Sequence, residues 1–289
     1  MSNAQPASAS PHHTASDTLP MRERVTQAFT QQIQALALRR HPYTVLQAFA
    51  EIAALTIHQS PYHLGKVKRD DAFDRIEQAY LTAIQPYSPD ELAGFVNLYG
   101  LATLALSTYP ATDLLGRLYM TLGMGNKRAG QYFTPPQVAR AMAAMMLHDA
   151  RGHIEQKGFI TLADPTCGAG GMLIEVANEL HDLGYDPKQV IMAQAVDHSR
   201  DCFNMAYLQL SMLNMPAVVI HGDSLSLEVW EQRPTPMLTL MTQARHVSGD
   251  QPPAPPRAAP AADSTPNPPD IRIPDKQLRF HFDPDTEGV

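Results

Sequence analysis

Residues 164–171 read Asp-Pro-Thr-Cys-Gly-Ala-Gly-Gly, between an apolar pentapeptide (Phe159-Ile160-Thr161-Leu162-Ala163) and a helical pattern over residues 172–183. A buried strand, a glycine-rich turn and a helix, in that order, make the first half of a βαβ unit. The pattern continues downstream: residues 190–196 read as a second strand, 201–214 as a helix and 217–221 as a third strand. Strands alternating with helices imply an α/β fold with a parallel sheet and right-handed crossovers. Glycines let a ligand approach the backbone, and the helix start beyond them favours a negative group. Asp164, at the strand end, suits a ligand that also carries an ammonium group. A dinucleotide fingerprint would need a third glycine where Leu173 stands, so that reading fails.

The chain before this core has a different period. Over residues 21–129 the expectation is a helical domain of about five helices. Val25, Phe29, Ile33 and Leu36 line one apolar face, and Phe73, Ile76, Tyr80, Leu81 and Ile84 another. Ser88-Pro89-Asp90-Glu91 has the form of a capped helix start. The core itself is placed at residues 130–242, opening with a helix after Thr134-Pro135 whose Met142, Met145 and Met146 read as core packing. Residues 1–20, small and polar, and the proline-rich residues 243–289 are expected to be disordered, with one possible short strand at 278–282.

Composition narrows the function. The formal net charge of −7 argues against a protein that grips nucleic acid by its own electrostatics. Lys66, Lys68, Arg69, Lys127 and Arg128 are the basic clusters, and a solvated surface is their simpler reading. Cys167 and Cys202 are too few for a disulfide framework and suit a reduced, cytoplasmic protein. No apolar run reaches the ~20 residues of a membrane span, and no Cys/His cluster has metal spacing. Cys167 could react when the turn holds no ligand, although no His is placed by sequence to activate it.

The motif Asp164–Gly171 resembles the cofactor-binding signature of adenine-specific DNA methyltransferases, in particular the modification subunits of type I restriction-modification systems. Gly130-Gln131-Tyr132-Phe133-Thr134-Pro135 is similar to the box that precedes it in that family. Ala195-Val196-Asp197 resembles the acidic end of the second strand, and Gly222-Asp223-Ser224-Leu225 the turn after the third. The resemblance covers about residues 110–228 and implies a Rossmann-like S-adenosylmethionine-dependent methyltransferase core preceded by an α-helical N-terminal domain. It implies S-adenosylmethionine as cofactor, DNA as substrate and help from a partner subunit, with specificity or restriction subunits as further partners. It places Asp164 near the methionine ammonium, with Thr166 in the same turn and Gly168 and Gly170 giving backbone access. Tyr132, Phe133 and Thr134 close over the methionine end, the Thr also capping the next helix. Asp197 takes the ribose hydroxyls and Asp223 the adenine amine.

The family's catalytic Asn-Pro-Pro-aromatic tetrapeptide, at the end of a fourth strand, has one partial match, Asn267-Pro268-Pro269-Asp270. Its fourth residue is not aromatic and its surroundings are rich in proline, so it reads as linker. The best fourth-strand candidate, residues 237–241, lacks the tetrapeptide at its end, and the family fold is expected to be C-terminally truncated or divergent here. Two functions stay open: methyl transfer to adenine in DNA, or a catalytically inactive cofactor-binding or regulatory protein acting through DNA-modification partners.

Overall fold

The computed structural model describes residues 20–38, 40–107, 109–122 and 133–248. Tyr132, the Lys127-Arg128 pair, the Asn267 tetrapeptide and the strand expected at 278–282 lie outside the described residues.

The N-terminal part is helical, as its periodicity predicts: α1 (Met21–Leu36), α2 (Pro42–His63), α3 (Asp71–Ile84), α4 (Pro89–Leu106) and α5 (Leu114–Thr121). Val25, Phe29 and Ile33 of α1 are buried, and Phe29 meets Phe49 of α2 edge-on at 5.4 Å. The α4 capping box is complete, with Ser88 Oγ accepting from Glu91 N at 3.3 Å and Glu91 Oε2 from Ser88 N at 2.8 Å. Arg40 donates to the same carboxyl, and this bond, with the Ser88 amide, holds Glu91 down at about 2. On α3 the expected apolar face is only partly covered, for Leu81 is 46% exposed.

Helix α2 organises this half because it is apolar nearly all round, packing on α3 along one side and on α10 (Arg200–Met212) of the α/β core along another. At that contact His58 sits against Tyr207, ring centroids 5.8 Å apart. Burial, and then the charge of Arg233, lower the imidazole from 6.5 to about 4. A histidine that resists protonation only when folded leaves stability intact above pH 6.5 and removes it as the pH falls toward 4. The expected loss is about 2 kcal/mol between pH 7.5 and 5. Urea unfolding at the two pH values should show that loss in the wild type and a clearly smaller one in His58→Phe.

The core continues through α6 (Pro136–Met146), α7 (Ala150–Lys157), β1 (Ile160–Asp164), α8 (Gly171–Asp182), α9 (Pro187–Val190), β2 (Ile191–Asp197), α10 and β3 (Ala217–Asp223). Strand order is β1-β2-β3, all parallel, with Asp164 beside Ala195 and Asp197 beside His221 in register. This is the Rossmann-like α/β arrangement expected.

Three features depart from expectation. First, β4 (Glu228–Pro234) pairs antiparallel with β3, so the sheet is mixed and ends in a hairpin. Second, residues 237–241 form part of α11 (Pro236–Ser248), not a strand, and that helix runs past the boundary placed at 242. Pro236 at its start and the buried Leu238 suit a helix, and Thr235 stitches the junction by accepting from Ala217 N and donating to Met215 O. Third, Met142, Met145 and Met146 are not core: they are 44%, 79% and 58% exposed. Helix α6 packs on α8, and its buried face is made by the small Ala139 and Ala143 instead.

Candidate functional site

The three parallel strands each end in an acid, Asp164, Asp197 and Asp223. The glycine turn folds across the first two. Cys167 N donates to Val196 O at 2.9 Å, and Gly168 N donates to Asp197 Oδ2 at 2.9 Å. Gly170 N donates to Cys167 O at 2.8 Å, which closes the turn, and Gly170 then stands at the start of α8. Gly168 and Gly170 have φ of +55° and +89°, the left-handed region that a side chain disfavours. At Gly168 there is no room either, since an added Cβ would lie 2.7 Å from the Phe133 ring.

Each acid is held differently. Asp164 Oδ1 accepts from Thr166 N at 3.2 Å. Burial raises its carboxyl, the nearby Asp197 charge adds to that, and the Thr166 amide opposes it. A partly buried carboxylate in this position gains from a cation, so its chemistry fits an ammonium group. Asp197 is 8% exposed, with Oδ2 on Gly168 N and Oδ1 accepting from Ser199 N at 2.8 Å. The lone-pair capacity not taken by these amides and by the Cys202 thiol is left for a hydroxyl donor. Asp223 Oδ1 accepts from Leu225 N at 2.8 Å, and that bond chiefly holds its carboxyl below the usual range.

The structure therefore brings Phe133, Asp164, Thr166, Gly168, Gly170 and Asp197 together around one turn, with Asp223 two strands away from Asp164. Phe133 packs on Tyr119 at 5.4 Å, and Tyr119 on Tyr43 at 6.0 Å, so the helical domain backs the ring that lies over Gly168. Tyr43 and Gln47 both donate to Asp201 at the start of α10, tying the amino end of α2 to the turn after Asp197. Periodicity could not point to Tyr43, Gln47 or Tyr119, because these contacts join residues far apart in the chain.

Two expectations are corrected. Thr134 does not cap α6: Pro135 occupies the cap position, without a side-chain bond, and the helix begins at Pro136. The reactive role of Cys167 also fails. Its thiol is buried and held well above its ordinary value by that burial and by Asp197 and Asp164, so it stays protonated. Two open grooves lie away from the turn. One, of about 470 Å³, is lined by residues such as Tyr109, His181 and Lys188, and the other, of about 610 Å³, by residues such as Gln47, Glu51 and Asn204.

Among the described residues no helix is long and apolar enough to cross a membrane, and no group of three or more His, Cys, Asp or Glu could hold a metal ion. Residues 111–244 match the N-6 DNA methylase family model, so the resemblance carried by the motifs holds over that segment. No curated protein matches the chain. Among solved structures, one similar chain is described as a class I S-adenosylmethionine-dependent methyltransferase from Listeria monocytogenes. It has 16% identity and a TM-score of 0.37, with 70% of this chain and 55% of that one covered. Another is the methyltransferase subunit of a type I restriction-modification system from Streptococcus thermophilus. It has 15% identity and a TM-score of 0.36, with 68% and 57% covered. The chain thus spans little more than half the length of either.

Proposed function

We propose that the glycine turn and the strand-end acids bind S-adenosylmethionine, in a protein of the adenine-specific DNA methyltransferase family that works in the cytoplasm on DNA with a partner subunit. The observation that supports this best is the pair Asp164 and Asp197 on either side of a turn whose first glycine cannot carry a side chain. On this reading Asp164 meets the methionine ammonium, and Phe133, Thr134 and Thr166 border the methionine end with Tyr132. Gly168 and Gly170 let the backbone approach, Asp197 receives the ribose hydroxyls, and Asp223 receives the adenine amine. The bound cofactor supplies an electrophilic methyl group. The chain's own residues orient it by holding the ammonium and the ribose at fixed points of a rigid sheet.

A second reading, a cofactor-binding or regulatory protein without catalysis of its own, is favoured by one observation. Residues 237–241 are helical, and no described strand ends in the tetrapeptide that would grip an adenine. Calorimetry with S-adenosylmethionine tests the pocket, and transfer of a labelled methyl group to DNA, with and without specificity and restriction subunits, separates the two readings. The pH dependence checks the role of Asp164. Its carboxyl must be ionised to hold an ammonium, and burial raises it, so affinity should hold at neutral pH and fall on acidification earlier than for an exposed carboxylate. Asp164→Asn should bind at least tenfold more weakly at pH 7 and lose that acid limb. No binding by the folded wild type would leave only the architecture standing.

A further inference from the structure

The glycine turn meets the helical domain a second time, beneath Ala169. Gln209 of α10 is completely buried there. Its Nε2 donates to Ala169 O at 2.8 Å and to Asp113 Oδ1 at 2.8 Å, while its Oε1 accepts from Leu115 N at 3.1 Å. Asp113 Oδ1 also accepts from Gly116 N at 2.9 Å, which caps α5. The Asp113 carboxyl is partly buried and raised by that burial, and a Cβ on Gly171 would fall 2.8 Å from its Oδ2. One side chain thus ties the cofactor turn to the first turn of α5.

The chemistry at this point is specific to an amide. The site asks for two donated hydrogens and one accepting oxygen from one planar group, which glutamine supplies and no carboxyl or thioether can. Ala169 stands between Gly168 and Gly170, both in the left-handed region, so the backbone on either side has little intrinsic preference for one conformation. Something outside the turn must fix the Ala169 carbonyl, and Gln209 is bonded to it.

We infer that Gln209 and Asp113 are positioning residues of the cofactor site: Gln209 sets the conformation of the Ala169–Gly170 turn and couples it to α5. The inference rests on the S-adenosylmethionine reading above and adds residues that its motifs do not contain. It also makes the helical domain part of the cofactor site's support, so loosening α5 loosens the turn.

The test uses the full chain and calorimetry with S-adenosylmethionine. Gln209→Met, which leaves the Ala169 carbonyl without its partner, should bind about tenfold more weakly or worse. Gln209→Glu gives the sharper readout. Protonated, the new carboxyl can still donate once; ionised, it opposes both Ala169 O and Asp113. The ratio of variant to wild-type affinity should therefore fall at least tenfold between pH 6 and pH 8, a slope that lost packing alone would not produce. A constant ratio, with Gln209→Met binding as the wild type does, overturns the inference. Amide hydrogen exchange on the wild type needs no variant and no ligand: Gly170, Leu115 and Gly116 should open together. Independent opening also overturns it, whereas wild-type protein that shows joint opening but no binding refutes only the cofactor reading.

Discussion

Asp197→Ala should lower S-adenosylmethionine affinity at least 100-fold and cost about 3 kcal/mol of stability. The carboxylate does two jobs with the same atoms. It accepts from the Gly168 and Ser199 amides, and on the proposed reading its remaining lone-pair capacity receives the ribose hydroxyls. Alanine leaves the buried Gly168 N–H and the part-buried Ser199 N–H without partners, and burying a donor unpaired costs more than an average hydrogen bond contributes. Asp197→Asn should do little better, since whichever way the amide turns, its NH2 faces one of those donors. Urea unfolding reads the stability and calorimetry the affinity. An alanine variant that binds normally would refute the ribose assignment, and one that binds poorly at unchanged stability would confine Asp197 to the ligand.

Much of the fold is legible in the sequence because it is built from local signals. The Val25, Phe29 and Ile33 stripe, the Ser88–Glu91 capping box and the glycine turn at 168–170 each carry their structural instruction within a few residues. The elements that local patterning misreads take their instruction from elsewhere. Met142, Met145 and Met146 look like core by type, but Ala139 and Ala143 decide which face of α6 is buried, because small residues allow close approach to α8. Residues 237–241 look like a strand by apolar content, yet Thr235 and Pro236 begin a helix there. In the candidate site the motif acids are legible and their supports are not. Gln209 and Asp113 are polar residues that local patterning would place at the surface, and only the fold puts them beneath the turn.

The β4 hairpin is the clearest case of instruction from a distance, and it carries the largest stability prediction. Glu-Val-Trp-Glu-Gln-Arg-Pro has no strand alternation, and its one buried residue is Arg233, 5% exposed. Arg233 Nε donates to Glu231 Oε1 at 2.5 Å and its Nη1 to Asn204 Oδ1 at 3.2 Å, while the guanidinium lies 4.7 Å from the Phe203 ring centroid. Burial alone would raise the Glu231 carboxyl, but Arg233 and Arg200 outweigh it and hold the carboxyl low. Arg233→Met deprives the buried Asn204 Oδ1 of its donor and leaves Glu231, still bonded to Arg200, with one guanidinium in place of two, so it should cost about 3–4 kcal/mol. The lost hydrogen bonds to Glu231 and Asn204, not the lost stacking, should dominate that cost. In a double-mutant cycle, Glu231→Gln and Arg233→Met together should cost less than the sum of the two single changes, the pattern of a coupled pair. Arg233 also depresses His58, so the single variant should lose less stability on acidification than the wild type does. Additive costs and an unchanged acid limb would mean that the hairpin is held by packing on Phe203 and Tyr207 and that the charges are incidental.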